Sequence, residues 1–146
     1  MSETTRILRA AAHAATYHGL QTGAHFADST GRLDMVAAIY VGATGKTPHS
    51  FTNDNHTACL LIETNEPVMA AIRAVSAVLP TDIPTDAETG LYCHIEHLAY
   101  WQEDRQHTTG QPPTHTEVVG VLLRAAADND SVETPSPLIP AQRTAA

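Results

Sequence analysis

Histidine is the residue type in this chain with the greatest potential for chemistry, with nine copies among 146 residues. The densest group is the segment Cys93-His94-Ile95-Glu96-His97. His94 and His97 are three positions apart, so on a helix they share one face, with Trp101 one turn further along. Two imidazoles at this spacing can contribute to a zinc or iron site, or to the wall of a small-molecule pocket. They can equally lie on a half-exposed helix surface and form hydrogen bonds with water and backbone.

A complete metal site needs a third or fourth ligand, and the sequence does not supply one at a recognisable spacing. His56, His115 and Glu117 are candidate donors, but nothing in the sequence places them beside the two histidines. The chain has neither a His-Glu-x-x-His motif nor a Cys-x-x-Cys pair. We therefore predict no metal and no cofactor.

Motifs for nucleophilic catalysis and phosphate binding are also missing from the sequence. The chain contains no Gly-x-Ser-x-Gly, and Cys59 lies in an apolar run, where a thiol usually packs as a small hydrophobe. The segment from Gly42 to Thr47 resembles the end of a phosphate loop but lacks its first glycine. These observations favour a protein without enzymatic activity.

The balance of charge is acidic, with 16 Asp and Glu against 8 Lys and Arg, and a net charge of −8. Such a surface repels a phosphate backbone, so we expect no direct binding to DNA or RNA. An acidic DNA-mimic inhibitor is an alternative, because six acids and no basic residue lie between Arg73 and Arg105. The simpler explanation is a solvated surface that keeps the protein soluble. The six acids are Asp82, Asp86, Glu88, Glu96, Glu103 and Asp104.

Length and composition indicate one cytoplasmic domain. A chain of 146 residues is within the usual size of a single domain. Two cysteines do not make a disulfide framework, and no secretory signal or apolar run long enough for a membrane span is visible. Seven arginines, one lysine and many alanines are typical of a GC-rich genome.

The apolar periodicity predicts a mainly α fold, a compact bundle of five or six short helices. Asp34 and Asn65 are predicted to cap helices, and Thr114-x-x-Glu117 fits a capping box. One short β-hairpin is allowed near residues 21–33. The predicted domain covers residues 1–128. Residues 129–146 are predicted to be a disordered or surface-draped tail. This segment is rich in proline towards its end and has no helical period.

Several short motifs resemble a family of small, uncharacterised proteins from actinobacteria and their phages, known only as a domain of unknown function. The resemblance covers about residues 5–127 and implies a fold and a host, but no catalytic residue. Its motifs are Ile7-Leu8-Arg9-Ala10-Ala11-Ala12, His18-Gly19-Leu20-Gln21-Thr22-Gly23, Gly31-Arg32, Val36-Ala37-Ala38-Ile39, His97-Leu98-Ala99-Tyr100-Trp101 and Thr116-Glu117-Val118-Val119.

Two further hypotheses about function follow from these residues. The first is a non-enzymatic accessory protein that binds another protein or itself, with a homodimer expected and no membrane partner. Its contact face would include Tyr92, Tyr100 and Trp101, because aromatic residues concentrate at interfaces. The second is a small-molecule or metal-binding protein, conceivably an enzyme, with His94, His97 and Trp101 as the wall of its pocket.

Overall fold

The computed structural model of the protein describes residues 1–133, apart from the side chains of residues 106–108 and 133. This part of the chain folds into α-helices joined by loops, with a short 3₁₀ helix (His49–Thr52) and no regular strand. The predicted mainly α bundle is confirmed. Its helices are α1 (Glu3–His18), α2 (Met35–Thr44), α3 (Asn55–Glu63), α4 (Glu66–Val78), α5 (His94–Thr109) and α6 (His115–Glu133).

Side chains that cap free backbone N–H groups determine where several helices begin. The predicted caps Asp34 and Asn65 each accept a hydrogen bond from the N–H group three residues further on. Asp54 caps α3 in the same way, and Thr114 accepts from the Glu117 N–H as the capping box requires. The local sequence therefore fixes the start of α2, α3, α4 and α6.

Helix α4 lies at the centre of the bundle and contacts each of the other five helices. The most extensive pairing is between α1 and α2, and it depends on Gly42. A Cβ atom at this position would lie 2.6 Å from the Ala11 N atom and 2.8 Å from the Ile7 carbonyl oxygen. Only glycine allows the two helix backbones to approach this closely.

The segment between α1 and α2 is an irregular loop and not the hairpin that the sequence allowed. The buried residue Leu33 forms isolated bridges to both Leu20 and Ala27, so pairing does not extend into strands. A second loop connects α4 to α5, and an isolated bridge between Thr85 and Tyr92 closes it. Both loops pass beside α5 and contribute to the cavities described below.

The last helix continues beyond residue 128, the predicted end of the domain, and reaches Glu133. It is anchored there by polar contacts with the start of α1. The Thr5 hydroxyl donates to Asp130 at 2.8 Å, and the Asn129 amide donates to Ser2 at 3.0 Å. The first five residues of the predicted tail are therefore helical, and residues 134–146 lie outside the described residues. None of the helices described is both long and apolar enough to cross a lipid bilayer.

Candidate functional site

Helix α5 carries all four residues that the sequence singled out, and the structure places them in different surroundings. His97 and Trp101 are buried in the bundle, His94 is half-buried, and Tyr100 is exposed. Polar side chains lie on two sides of this helix. One group surrounds His97, and the other surrounds Asp34 at the start of α2.

The first group, which we call the histidine cluster, consists of Ser76, Thr81, His94 and His97. The Ser76 hydroxyl on α4 lies 2.5 Å from His97 Nδ1 and 2.9 Å from His94 Nδ1. The other ring nitrogen of His97, Nε2, lies 2.9 Å from the Thr81 carbonyl oxygen and 2.8 Å from its hydroxyl. A single serine thus connects the two histidines.

The hydrogen-bond partners determine which ring nitrogen of each histidine carries the hydrogen when both rings are neutral. The Thr81 carbonyl can only accept, so His97 Nε2 carries the hydrogen and His97 Nδ1 must accept from the Ser76 hydroxyl. With its own hydrogen used in this way, the Ser76 oxygen accepts from Nδ1–H of His94. Each of these polar atoms therefore has a partner of the right kind.

The charged form of His94 is disfavoured in this environment. Burial lowers the pKa of His94, and the positive charge of Arg73 and the neighbouring His97 lower it further. A neutral His94 agrees with the hydrogen-bond assignment above. Ser76 is buried and already bonded on both sides, which makes it a poor nucleophile.

The predicted pocket of His94, His97 and Trp101 is not one cavity in the structure. His97 and Tyr100 line an open cleft of about 480 Å³ against the loop that contains Thr81 and Asp82. Trp101 borders a different cleft, on the α6 side of α5. Trp101 therefore does not face the ligand-accessible space next to His97.

The second group surrounds a smaller cavity of about 180 Å³, which we call the Asp34 pocket. The loop before α2 supplies Thr22, Gly23 and Ala24 to its wall, and Asp34 lies at the start of α2. Helix α5 supplies the rest of the wall. Its residues here are Ala99, Tyr100, Gln102 and Glu103.

The two carboxyl oxygens of Asp34 have different surroundings. One carboxyl oxygen, Oδ1, accepts from the Ala37 N–H at 2.8 Å, and only 8% of the residue is exposed. No side chain described donates a hydrogen bond to the other oxygen, Oδ2, and the N–H group of Val36 also interacts with the carboxyl group. Burial raises the pKa of Asp34 to about 7, although the N–H groups of Ala37 and Val36 act in the opposite direction. Asp34 therefore changes charge near neutral pH.

Gln102 is the second unusual residue in this wall. It is 7% exposed, and its Nε2 atom is enclosed without a hydrogen-bond partner among the residues described. A buried polar group without a partner costs about 1–3 kcal/mol, and such groups are rare in native proteins. A carboxamide that rotates by 180° exchanges its donor and acceptor ends, so either end can be presented to the pocket.

The loop that covers the Asp34 pocket is held by polar side chains. The Gln21 amide accepts from the Gly23 N–H at 2.5 Å and donates to the His25 carbonyl at 2.7 Å. The Asn55 amide on α3 donates to the Ala24 carbonyl at 3.0 Å, and its oxygen lies 3.0 Å from His25 Nδ1. These hydrogen bonds connect residues 21–25 to one another and to α3.

The sequence did not single out Gln102, and it identified Asp34 only as a helix cap. An acid placed directly between buried Leu33 and the apolar start of α2 is a pattern that could have indicated a buried carboxyl group. Gln102 has no such signal, because its burial depends on how the loop folds over α5. Among the side chains described, no group of three or more His, Cys, Asp or Glu could hold a metal ion.

Comparison with known proteins gives a family but no activity. None of the curated proteins and none of the solved structures matches the chain. A family model, described as a family of unknown function, matches residues 1–128, in agreement with the resemblance seen in the sequence motifs. The chain therefore belongs to the family of unknown function DUF6197.

Proposed function

We propose that the protein binds a small polar molecule in the Asp34 pocket. The observation that supports this proposal is the polar mismatch in the pocket wall. Gln102 Nε2 is enclosed without a partner, and Asp34 Oδ2 receives no hydrogen bond from the described residues of the same cavity. A bound molecule that donates a hydrogen bond would satisfy Asp34 Oδ2, and it would contact the end of the Gln102 carboxamide that faces the cavity, because Nε2 itself is enclosed.

The size of the cavity agrees with a ligand and not with a single water molecule. A cavity of about 150 Å³ is large enough to hold a benzene ring, whereas one water molecule needs about 30 Å³. The Asp34 pocket, at about 180 Å³, can therefore hold a molecule with the dimensions of a six-membered ring. Its wall is half polar, which favours a hydrophilic molecule over a hydrocarbon.

The test is a ligand-observed NMR screen of small polar molecules against wild-type protein and Gln102→Leu. Leucine has a similar shape but no polar end, so we expect molecules that bind the wild type to lose most of their signal with the variant. Gln111→Leu is the matched control, because Gln111 is an exposed residue outside the pocket. It should bind like the wild type.

Two results would contradict the proposal. The first is a screen in which no molecule binds the wild-type protein. The second is a set of ligands that bind wild type and Gln102→Leu equally, which would place their site elsewhere. Thermal unfolding of the three proteins shows whether the variants are folded and so whether the comparison is valid.

We propose self-association as a second function, supported by one specific observation. Leu91 and Tyr92 are adjacent in the loop before α5, and they are 69% and 66% exposed. Two such exposed apolar side chains, beside the bridge that closes this loop, are suited to contact with a second copy of the chain. Trp101 does not support this face because it is buried. Tyr92→Ala should lower the dimer fraction in sedimentation equilibrium, and a wild type that is monomeric at all concentrations would contradict this function.

A further inference from the structure

We propose that the ligand of the Asp34 pocket is a small organic ammonium cation. This inference rests on the proposed function, because it assigns a ligand class to the same site. It is argued from the charges around the pocket, the hydrogen-bonding capacity of its wall and the behaviour of Asp34.

The charges that line the pocket are all of one sign. Two carboxyl groups, Asp34 and Glu103, contribute to its wall, and no lysine or arginine does so within the described part of the chain. The adjoining cleft shares Tyr100 and Glu103 with the pocket and adds Asp82 and Asp104. A small cation is therefore attracted to the entrance and then to the interior, whereas an anion is repelled.

The arginines that are closest in sequence to these residues are already bound to carboxylates. Each of the three forms a salt bridge, and none lines the pocket. These three arginines therefore do not compensate the charge of the wall. The pairs are Arg32 with Asp28, Arg73 with Glu66, and Arg105 with Glu117.

The polar atoms of the wall match the donors of an ammonium group. A primary ammonium has three N–H donors and no acceptor. Asp34 Oδ2 is an acceptor that lacks a described donor, and the Gln102 carboxamide presents its oxygen when its enclosed end is the NH₂ group. Glu103 supplies a further carboxylate at the rim. These three acceptors belong to one wall, and an ammonium group can donate to them without needing a donor in return.

The protonation of Asp34 makes binding of a cation sensitive to pH. The titratable groups near Asp34 are Glu103 and Tyr100 on α5 and Cys59 on α3, and Arg32 in the preceding loop is paired with Asp28. The pKa of Asp34 is about 7 because of burial, so the ligand-free carboxyl is mostly neutral at pH 6. An ammonium ion pairs with the carboxylate and therefore displaces that proton.

The experiment compares three molecules of similar size and different charge, namely ethanolamine, ethylene glycol and glycolate, by NMR titration of the wild-type protein at pH 6 and pH 8. We expect ethanolamine to bind with a Kd on the order of millimolar, because a ligand of four non-hydrogen atoms has limited binding energy. Its affinity should be about tenfold higher at pH 8, since only the ionised fraction of Asp34 binds the cation. Ethylene glycol should bind at least about tenfold more weakly, and glycolate should not bind.

Asp34→Asn provides the decisive variant, because asparagine retains the capping oxygen and cannot ionise. It should weaken ethanolamine binding by about tenfold or more at pH 8 and remove the pH dependence. Asp54→Asn, at an exposed helix cap, is the control and should bind like the wild type.

The possible failures separate this inference from the proposed function. If ethylene glycol or glycolate binds as well as ethanolamine and Gln102→Leu abolishes that binding, the pocket is a binding site but not for cations. If none of the three binds while the screen finds other ligands that depend on Gln102, the ammonium inference is again wrong and the proposed function stands. If neither experiment finds a ligand, both are wrong.

Discussion

The two polar regions beside α5 differ in how completely their buried groups are satisfied. In the histidine cluster, Ser76 bridges the two histidines, and His97 Nε2 is bonded to Thr81. In the Asp34 pocket, Gln102 Nε2 is enclosed without a described partner, and Asp34 Oδ2 receives no hydrogen bond from the other residues of the pocket wall. The same helix thus borders a closed hydrogen-bond network and an open one.

From this difference in hydrogen bonding we infer a stabilising role for the histidine cluster and propose a binding role for the Asp34 pocket. Buried polar groups that are fully paired contribute to the uniqueness and rigidity of a core. Buried polar groups without partners cost free energy, and a protein retains them where they perform another function, such as binding a ligand. The histidines are the most prominent candidates in the sequence, but the ligand site that we propose is formed by a carboxyl and a carboxamide.

The largest expected effect concerns the charge of Asp34. Its pKa is raised from 3.8 to about 7, so the folded state retains a proton that the unfolded state releases above about pH 4. The free energy of unfolding should therefore fall as pH rises from about 4 to 7, by up to about 4 kcal/mol from this group alone. Asp34→Asn removes the effect, and urea unfolding at pH 4, 6 and 8 measures it.

The matched control for this prediction is Asp54→Asn, at the other aspartate cap. Asp54 is exposed, and hydrogen bonds from Thr57 lower its pKa, so its contribution to stability is lost as pH falls. The two variants should change the pH profile in opposite directions. Equal pH profiles for wild type and Asp34→Asn would contradict the buried, proton-retaining Asp34.

Most of the helical fold was predictable from the sequence because its signals are local. Asp34 and Asn65 cap the helices that follow them, and Thr114 with Glu117 forms the predicted capping box. The loop between α1 and α2 was not predictable, because Leu33 pairs with two separate residues that only the packed structure brings together. The continuation of α6 depends likewise on contacts with the start of α1, 124 or more residues away.

The candidate site was predictable only in part. The helical spacing correctly places His94 and His97 on one side of α5, since both contact Ser76. The sequence does not show that Trp101 borders another cleft, nor that Gln102 lines a cavity together with the loop before α2. Both facts depend on tertiary packing around α5, and the spacing of residues along one helix gives no information about that packing.

His97→Ala should be the most destabilising change within the histidine cluster. It leaves a cavity in the core and removes the partners of Ser76 and Thr81, so we expect a loss of about 3 kcal/mol in the free energy of unfolding. Urea unfolding measures it, and His13→Ala, at an exposed site on α1, is the control with little expected change. A loss as small as that of the control would show that the cluster contributes little to stability.

Ser76→Ala should have a smaller effect, of about 2 kcal/mol, because it removes one hydroxyl and leaves the Nδ1 atoms of both rings without this partner. Nitrogen-15 NMR of the wild type provides an independent check. We expect the neutral ring of His97 to carry its hydrogen on Nε2 and the neutral ring of His94 to carry its hydrogen on Nδ1. The reverse assignment would contradict the direction of the hydrogen-bond chain.

Gln102→Leu should have the smallest effect and the opposite sign. Leucine removes a buried amide that lacks a described partner and keeps a similar volume, so we expect the ligand-free protein to become about 1 kcal/mol more stable. Ser76→Ala also removes a buried polar group, but from the fully bonded histidine cluster, and it should lower stability. This contrast distinguishes the two regions. Thermal and urea unfolding without ligand measure it. If Gln102→Leu is instead destabilising by as much as Ser76→Ala, the amide has a partner in the folded protein, and the Asp34 pocket is as closed a network as the histidine cluster.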